Sequence, residues 1–208
     1  MRRTGIWSFV LAAVMLTTVT GCASMGSMGR FGFKSSRPLK PVTYVDLPRY
    51  MGGWFVVANI PTSREKDCVD SIEGYAMRPD GRIDNKFACR EKSFNAPMKR
   101  RVNTVATVFD TQSNAEWRVP IYRVLNAKYL VIDLDPNYRW AVVGHPSRRY
   151  GWILSRSRVL PEDTYNGIMQ RLAQQGYDTN KFVRVPQGPG GPTIPTAARK
   201  SFFSTIFR

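Results

Sequence analysis

The strongest constraint on this chain is a period-two alternation of apolar and polar residues, repeated in eight short runs with little room between them for crossover helices. The runs are Trp54–Ile60, Val69–Met77, Arg82–Arg90, Val102–Asp110, Glu116–Arg123, Lys128–Asp133, Tyr138–Gly144 and Tyr150–Arg156. Between the second and third, Arg78-Pro79-Asp80-Gly81 puts Pro and Gly where a type I turn with a glycine bulge requires them. Asn126-Ala127, Asp135-Pro136-Asn137 and His145-Pro146-Ser147 punctuate the later links. Links this short force antiparallel neighbours. One helix follows: Pro161 suits its first turn, Glu162 and Asp163 suit the positive end of its dipole, and Gly176 ends it. Tyr165, Ile168, Met169 and Leu172 give that helix one apolar face, and Lys181–Val185 reads as a last short strand. The prediction is an all-β fold: an eight-stranded antiparallel up-and-down barrel with one C-terminal α-helix, able to hold one ligand.

Composition narrows the chemistry. A chain of 208 residues, 43% hydrophobic, is long enough for one domain with a sizeable core. One His and three Cys cannot build a zinc cage or paired cysteine knuckles, and no nucleophile elbow or phosphate loop is present, so no metal and no cofactor is expected. The 31 Lys and Arg against 15 Asp and Glu, a net +16, would by themselves suggest nucleic acid. The leader removes that partner. Arg2 and Arg3 precede an apolar stretch, Gly5 to Val19, too short to span a bilayer comfortably, and small residues then lead to Cys22. Residues 1–21 read as a signal peptide, whose removal takes the net charge to +14. Val19-Thr20-Gly21-Cys22 resembles a bacterial lipobox, which implies lipidation of Cys22; an ordinary signal peptide with an incidental Cys is the alternative. Ala23, where inner-membrane retention would use Asp, implies the outer membrane, with the protein facing the periplasm. Residues 22–41 form a Gly/Ser-rich basic tether, 42–186 the domain and 187–208 a Gly/Pro-rich tail. Phe202, Phe203, Ile206 and Phe207 at its end could touch a membrane, enter a neighbour's barrel or stay disordered.

Three motifs in order carry a family resemblance. Gly52-Gly53-Trp54 opens the first strand, Asp135-Pro136-Asn137-Tyr138 precedes the seventh, and Trp152-Ile153-Leu154-Ser155-Arg156 forms the eighth. Together, followed by a helix, they resemble the lipocalins, although the Thr of the usual Thr-Asp-Tyr is absent and the Asp displaced. The resemblance implies structural roles for Gly52, Trp54 and Arg156, with Arg156 packed on Trp54 to close the barrel floor. With the lipobox it points to bacterial outer-membrane lipoprotein lipocalins, non-catalytic carriers of fatty acids or lysophospholipids that serve cell-envelope maintenance.

Alternation assigns faces. With Arg139 outside, Tyr138, Trp140 and Val142 are expected inside; Trp152 and Leu154 share the parity of Arg156, and Val56 and Ala58 that of Trp54. Tyr75, Val105, Thr107, Tyr129 and Val131 complete the expected ligand lining. An apolar, aromatic lining with a few hydroxyls suits an acyl chain with a polar head, whereas the same side chains could simply fill a solid barrel. The filled barrel makes the competing reading an interaction lipoprotein that binds no ligand.

Loops of an up-and-down barrel alternate between its ends, and the lipocalin resemblance implies a mouth carrying ten basic residues, Arg64, Lys66, Lys92, Lys99, Arg100, Arg101, Arg123, Lys128, Arg148 and Arg149, against Glu65, Asp67 and Glu91. The floor segments are slightly acidic. A basic rim, centred on Lys99, Arg100, Arg101, Arg148 and Arg149, is expected to meet anionic lipid. Cys68 and Cys89 flank one hairpin turn and could form a disulfide in an oxidising compartment, remain buried thiols, or supply a cavity nucleophile for a thiol-dependent enzyme. His145 reads as a surface residue of a mouth loop.

Overall fold

The computed structural model describes residues 37–122 and 125–188. The leader, Cys22, most of the tether, Arg123 and the tail beyond residue 188 lie outside the described residues. A one-turn helix α1 (Leu47–Tyr50) leads into β1 (Gly52–Asn59), β2 (Cys68–Met77), β3 (Ile83–Glu91), β4 (Lys99–Val108), β5 (Glu116–Tyr122), β6 (Leu125–Leu134), β7 (Trp140–Gly144) and β8 (Gly151–Ser155). Helix α2 (Glu162–Gln174), a 3₁₀ turn (Thr179–Lys181) and a two-residue β9 (Val183–Arg184) follow. Each strand pairs antiparallel with the next, and β8 returns to β1, closing an eight-stranded barrel; β9 adds to β1 at Ala58 and Asn59. One expected link is displaced. Asn126 and Ala127 are strand residues paired with Pro120 and Val119, so Lys128 lies within β6 and not in a mouth loop.

β1 is buried along its whole length because both of its faces are covered. Trp54 and Val56 point into the barrel, whereas Phe55, Val57 and Ala58 belong to a second apolar cluster outside it. The outer cluster packs Ile153, Leu130 and Ile132 of the barrel wall against Tyr165, Ile168 and Leu172 of α2. Full burial of Ile168 there contributes roughly 1.5–3 kcal/mol. Gly144 and Gly151 pair across β7 and β8. A Cβ on either would come within 2.7 Å of Tyr177 or Phe182, so these glycines let the segment after α2 lie directly on the wall. Gly52 has φ +93°, a backbone conformation that an L side chain rarely adopts, at the bend from α1 into β1.

Several expected faces are reversed, each for a local reason. A bulge between Val56 and Ala58 inserts one extra residue, so Ala58 turns outward although Val56 does not. Tyr138 is in the left-handed region (φ +58°) and belongs to the turn before β7, which resets the alternation. Trp140 and Val142 therefore join the outer cluster, and Ala141 and Val143 point inward. In β4 the inward set is Val102, Thr104, Ala106 and Val108; Val105 and Thr107 are on the other face, sharing the parity of the exposed Arg101 and Asn103.

Cys68 and Cys89 are joined in a disulfide with Cα atoms 5.5 Å apart, so neither sulfur is available as a thiolate nucleophile. The bond closes a loop of sequence separation 21, worth about 3 kcal/mol through chain entropy. Replacing both with Ser is expected to lower the unfolding free energy in urea by about that amount. An unchanged denaturation midpoint on adding reductant to the intact protein would contradict this.

Candidate functional site

The floor is built around Arg156. Its guanidinium lies 3.4 Å from the Trp54 ring centroid and donates to the carbonyls of Gly53, Arg49, Tyr50 and Met51 at 2.5–3.0 Å. Trp54 Nε1 donates to Tyr50 O at 2.9 Å. Asp135, 3% exposed, holds the adjoining turn by accepting from Asn137 N, Arg139 N and the Arg139 side chain, and these bonds hold its carboxyl below the usual range. Tyr138 completes this floor, accepting a hydrogen bond from Asp46 N at 2.8 Å with Arg49 over its ring; it lies below the cavity, not in its lining.

Above the floor the barrel is solid. Tyr50, Tyr129 and Tyr75 form a hydroxyl chain at 2.7 and 2.9 Å, and Trp117 stacks on Tyr129 at 4.6 Å. Burial pushes all three phenols well up from their ordinary values. Val56 and Val131 are fully buried in this inner cluster, beneath the open space.

Over that layer lies a cavity of about 630 Å³. Tyr75, Tyr129, Trp152 and Leu154 line it, as the alternation predicts; of the other expected lining residues, Ala58, Val105, Thr107, Trp140 and Val142 face away. The wall also includes Phe87, Val102, Val119 and Val143, and among its polar side chains are Glu73, Asn85 and Thr104. His145, expected at the surface, also lines the cavity, and burial with nearby Arg149 and Lys128 pulls its imidazole down from its ordinary value. Most of these residues were within reach of the sequence. Glu73 shares the parity of Tyr75, so placing Tyr75 inside places a carboxyl inside as well. Polar Arg101 and Asn103 share the parity of Val105 and Thr107, an unused signal in the sequence for the outer face of β4.

At the mouth, Glu65 joins the first loop to β8, accepting from Trp152 Nε1 at 2.8 Å and from Thr62 N at 3.0 Å. Arg64 and Arg149 edge the opening. Lys99 and Arg101 both bind Glu91, whose carboxyl they hold below the usual range, and Arg100 beside them is exposed. Arg148 has a different role from the one expected. It donates to the carbonyls of Gln175, Pro146 and Arg37, clamping the end of α2 and the residues before β1 to the β7–β8 loop. At the opposite end, Arg78, Arg82, Arg118 and Arg139 are each paired with a carboxylate.

A β-barrel closed at one end by an Arg–Trp stack and open at the other defines a cup for small hydrophobic molecules. The lipocalin-like domain family matches residues 45–187, and the chain belongs to it. It is 29% identical to temperature-induced lipocalin-1 of Arabidopsis thaliana over 182 residues, covering 82% of this chain and 97% of that one. It is 30% identical to the outer membrane lipoprotein Blc of Citrobacter freundii, covering 75% and 88% respectively. Insecticyanin of the tobacco hornworm Manduca sexta has the same fold, with TM-score 0.56 and 19% identity over 74% of this chain and 86% of that one. Membership implies hydrophobic-ligand binding in general, in a family of generally non-enzymatic binding proteins.

Burial, and secondarily the charge of Glu65, raises the Glu73 carboxyl well above its ordinary value. Below the unfolded-state value Glu73 is protonated in both states. As pH rises the unfolded chain releases this proton first, so stability is lost until the folded value is passed. Glu73→Gln is therefore expected to raise the urea midpoint at pH 8 and to change it little at pH 4. Equal effects at both pH values would show that Glu73 ionises freely in the barrel.

Proposed function

We propose that this chain is a lipid-anchored lipocalin, held by Cys22 on the periplasmic face of an outer membrane, that binds, sequesters or transports fatty acids, lysophospholipids or similar hydrophobic anions for cell-envelope maintenance. The observation that carries the reading is the half-filled barrel: about 630 Å³ of space remains above the tyrosine layer, walled largely by apolar side chains and edged by Arg64 and Arg149. This favours a carrier over a solid interaction barrel. The anchor rests on the lipobox resemblance and on the Blc relatives, whose name describes outer membrane lipoproteins. An acyl chain gains about 0.8 kcal/mol per buried CH₂, so on the order of ten methylenes offset the roughly 8 kcal/mol of micromolar binding, before ordering costs. The head stays with the mouth cations.

Two measurements test it. Bromine-labelled fatty acid is expected to quench Trp152 in the cavity and to leave Trp140, under α2, unaffected; Trp152→Phe then removes most of the quenching, while Trp140→Phe does not. No quenching in any variant, and no amphiphile extracted from protein purified out of membranes, would favour the interaction lipoprotein. Separately, Lys99→Glu, Arg100→Glu and Arg101→Glu together are expected to abolish sedimentation of the non-lipidated chain with anionic vesicles, each exposed cation being worth about 1 kcal/mol near such a surface. Undiminished sedimentation would remove the rim from membrane docking.

A further inference from the structure

The cavity wall carries polar atoms that the protein itself leaves unused. Glu73 Oε2, Asn85 Oδ1 and Thr104 Oγ1 are buried and find no hydrogen-bond partner among the protein groups around them. Their placement is set by strand register. Tyr75 pairs with Asn85 and Asn85 with Thr104, so these lie in one row across β2, β3 and β4. Glu73 is two residues nearer the mouth on β2, opposite Phe87, and belongs to the same wall. Directly opposed side chains on one face have Cβ atoms roughly 5 Å apart, and diagonal ones about 7–8 Å, so one small ligand group can lie against all three side chains, whose rotamers bring the oxygens to it.

A buried acceptor without a donor costs free energy, and four apolar neighbours in the same wall offer it nothing. We propose that Glu73, Asn85 and Thr104 form a polar subsite inside the barrel that receives a hydroxyl group on the ligand's hydrocarbon chain, so that the preferred cargo is a hydroxylated acyl chain with its anionic head at the basic mouth. This rests on the carrier reading above and adds the ligand class. A hydroxyl, donor and acceptor at once, matches this set: Asn85 Oδ1 accepts, Thr104 Oγ1 does either, and a carboxyl kept neutral by burial does either. A carboxylate head has only acceptors and would meet the Glu65 carboxylate on its way in, which keeps it at the rim. Thr104 and Lys99 pair with Asn85 and Cys89, four residues apart on β3 and so about 13 Å at the strand rise, so the hydroxyl belongs far from the head.

The test is calorimetric titration of the intact chain with three probes of equal chain length: dodecanoate, 12-hydroxydodecanoate and 2-hydroxydodecanoate. The wild type is expected to bind 12-hydroxydodecanoate about tenfold tighter than dodecanoate, and 2-hydroxydodecanoate no tighter than dodecanoate. Glu73→Leu and Thr104→Val should each bring the ratio to one or below, while Glu73→Gln, which keeps a hydrogen-bonding group, retains most of it. Thr107→Val, on the outer face of the same strand, should leave the ratio unchanged. Equal binding of dodecanoate and 12-hydroxydodecanoate by the wild type overturns the subsite and leaves the carrier intact, since water would then satisfy these oxygens as well as a ligand does. No binding of any probe overturns both.

Discussion

The structure depends on one buried charge. Arg156 is 2% exposed, and removing a guanidinium from water is expensive unless its donors are used. Here the carbonyls of Arg49, Tyr50, Met51 and Gly53 accept from it, and the Trp54 face lies over it. Three of those carbonyls belong to the end of α1 and the residue after it, where a helix leaves acceptors without intrahelical partners. One side chain at the end of β8 thus satisfies the C-terminal end of α1, pins that turn across the barrel and fixes the start of β1. With the floor closed in this way, Tyr50 is held against Tyr75 and Trp117, and the aromatic layer has a fixed base on which to pack. Open space can then exist only above it.

This explains why the fold was legible and the site only partly so. Strand number, order and handedness of connection follow from alternation and short links, which tolerate an error of one or two residues. Cavity lining does not tolerate such an error, because one inserted residue exchanges every side chain beyond it between core and exterior. The bulge at Val56–Ala58 and the left-handed Tyr138 are such insertions, and they sent Ala58, Trp140 and Val142 out of the barrel. Neither has a distinctive sequence signal: the bulge carries no glycine, and a tyrosine rarely adopts positive φ. Glu73 was legible in principle, since Tyr75 fixes its face, but a charged residue on a strand is ordinarily assigned to solvent.

The charge distribution is sorted by partner as well as by position. Floor arginines neutralise floor carboxylates, so that end presents little net field. Arg148 is spent on three carbonyls and serves the architecture. The positive surface that remains is narrower than a count of mouth residues suggests. It is concentrated at the start of β4, where Glu91 offsets only part of Lys99, Arg100 and Arg101, and at Arg64 and Arg149 on the edge of the opening.

Immediately beneath that rim the sign changes. Glu65 is tied to Trp152 and to the first loop, and Glu73 lies in the wall below. Burial, helped by the nearby Glu65 charge, disfavours ionisation of Glu73, so the negative charge inside the mouth is that of Glu65. On the proposed carrier reading, an amphiphilic anion would meet attraction at Arg64 and Arg149 and repulsion from Glu65 within, so its head would stop at the rim and its chain enter first. On that reading the cup's electrostatics would orient the cargo before close contact forms, and the apolar wall would need only to be long enough to accept the chain. That division of labour, cations outside and a sparsely polar interior, would let one barrel discriminate by head charge at its mouth and by chain chemistry at its depth.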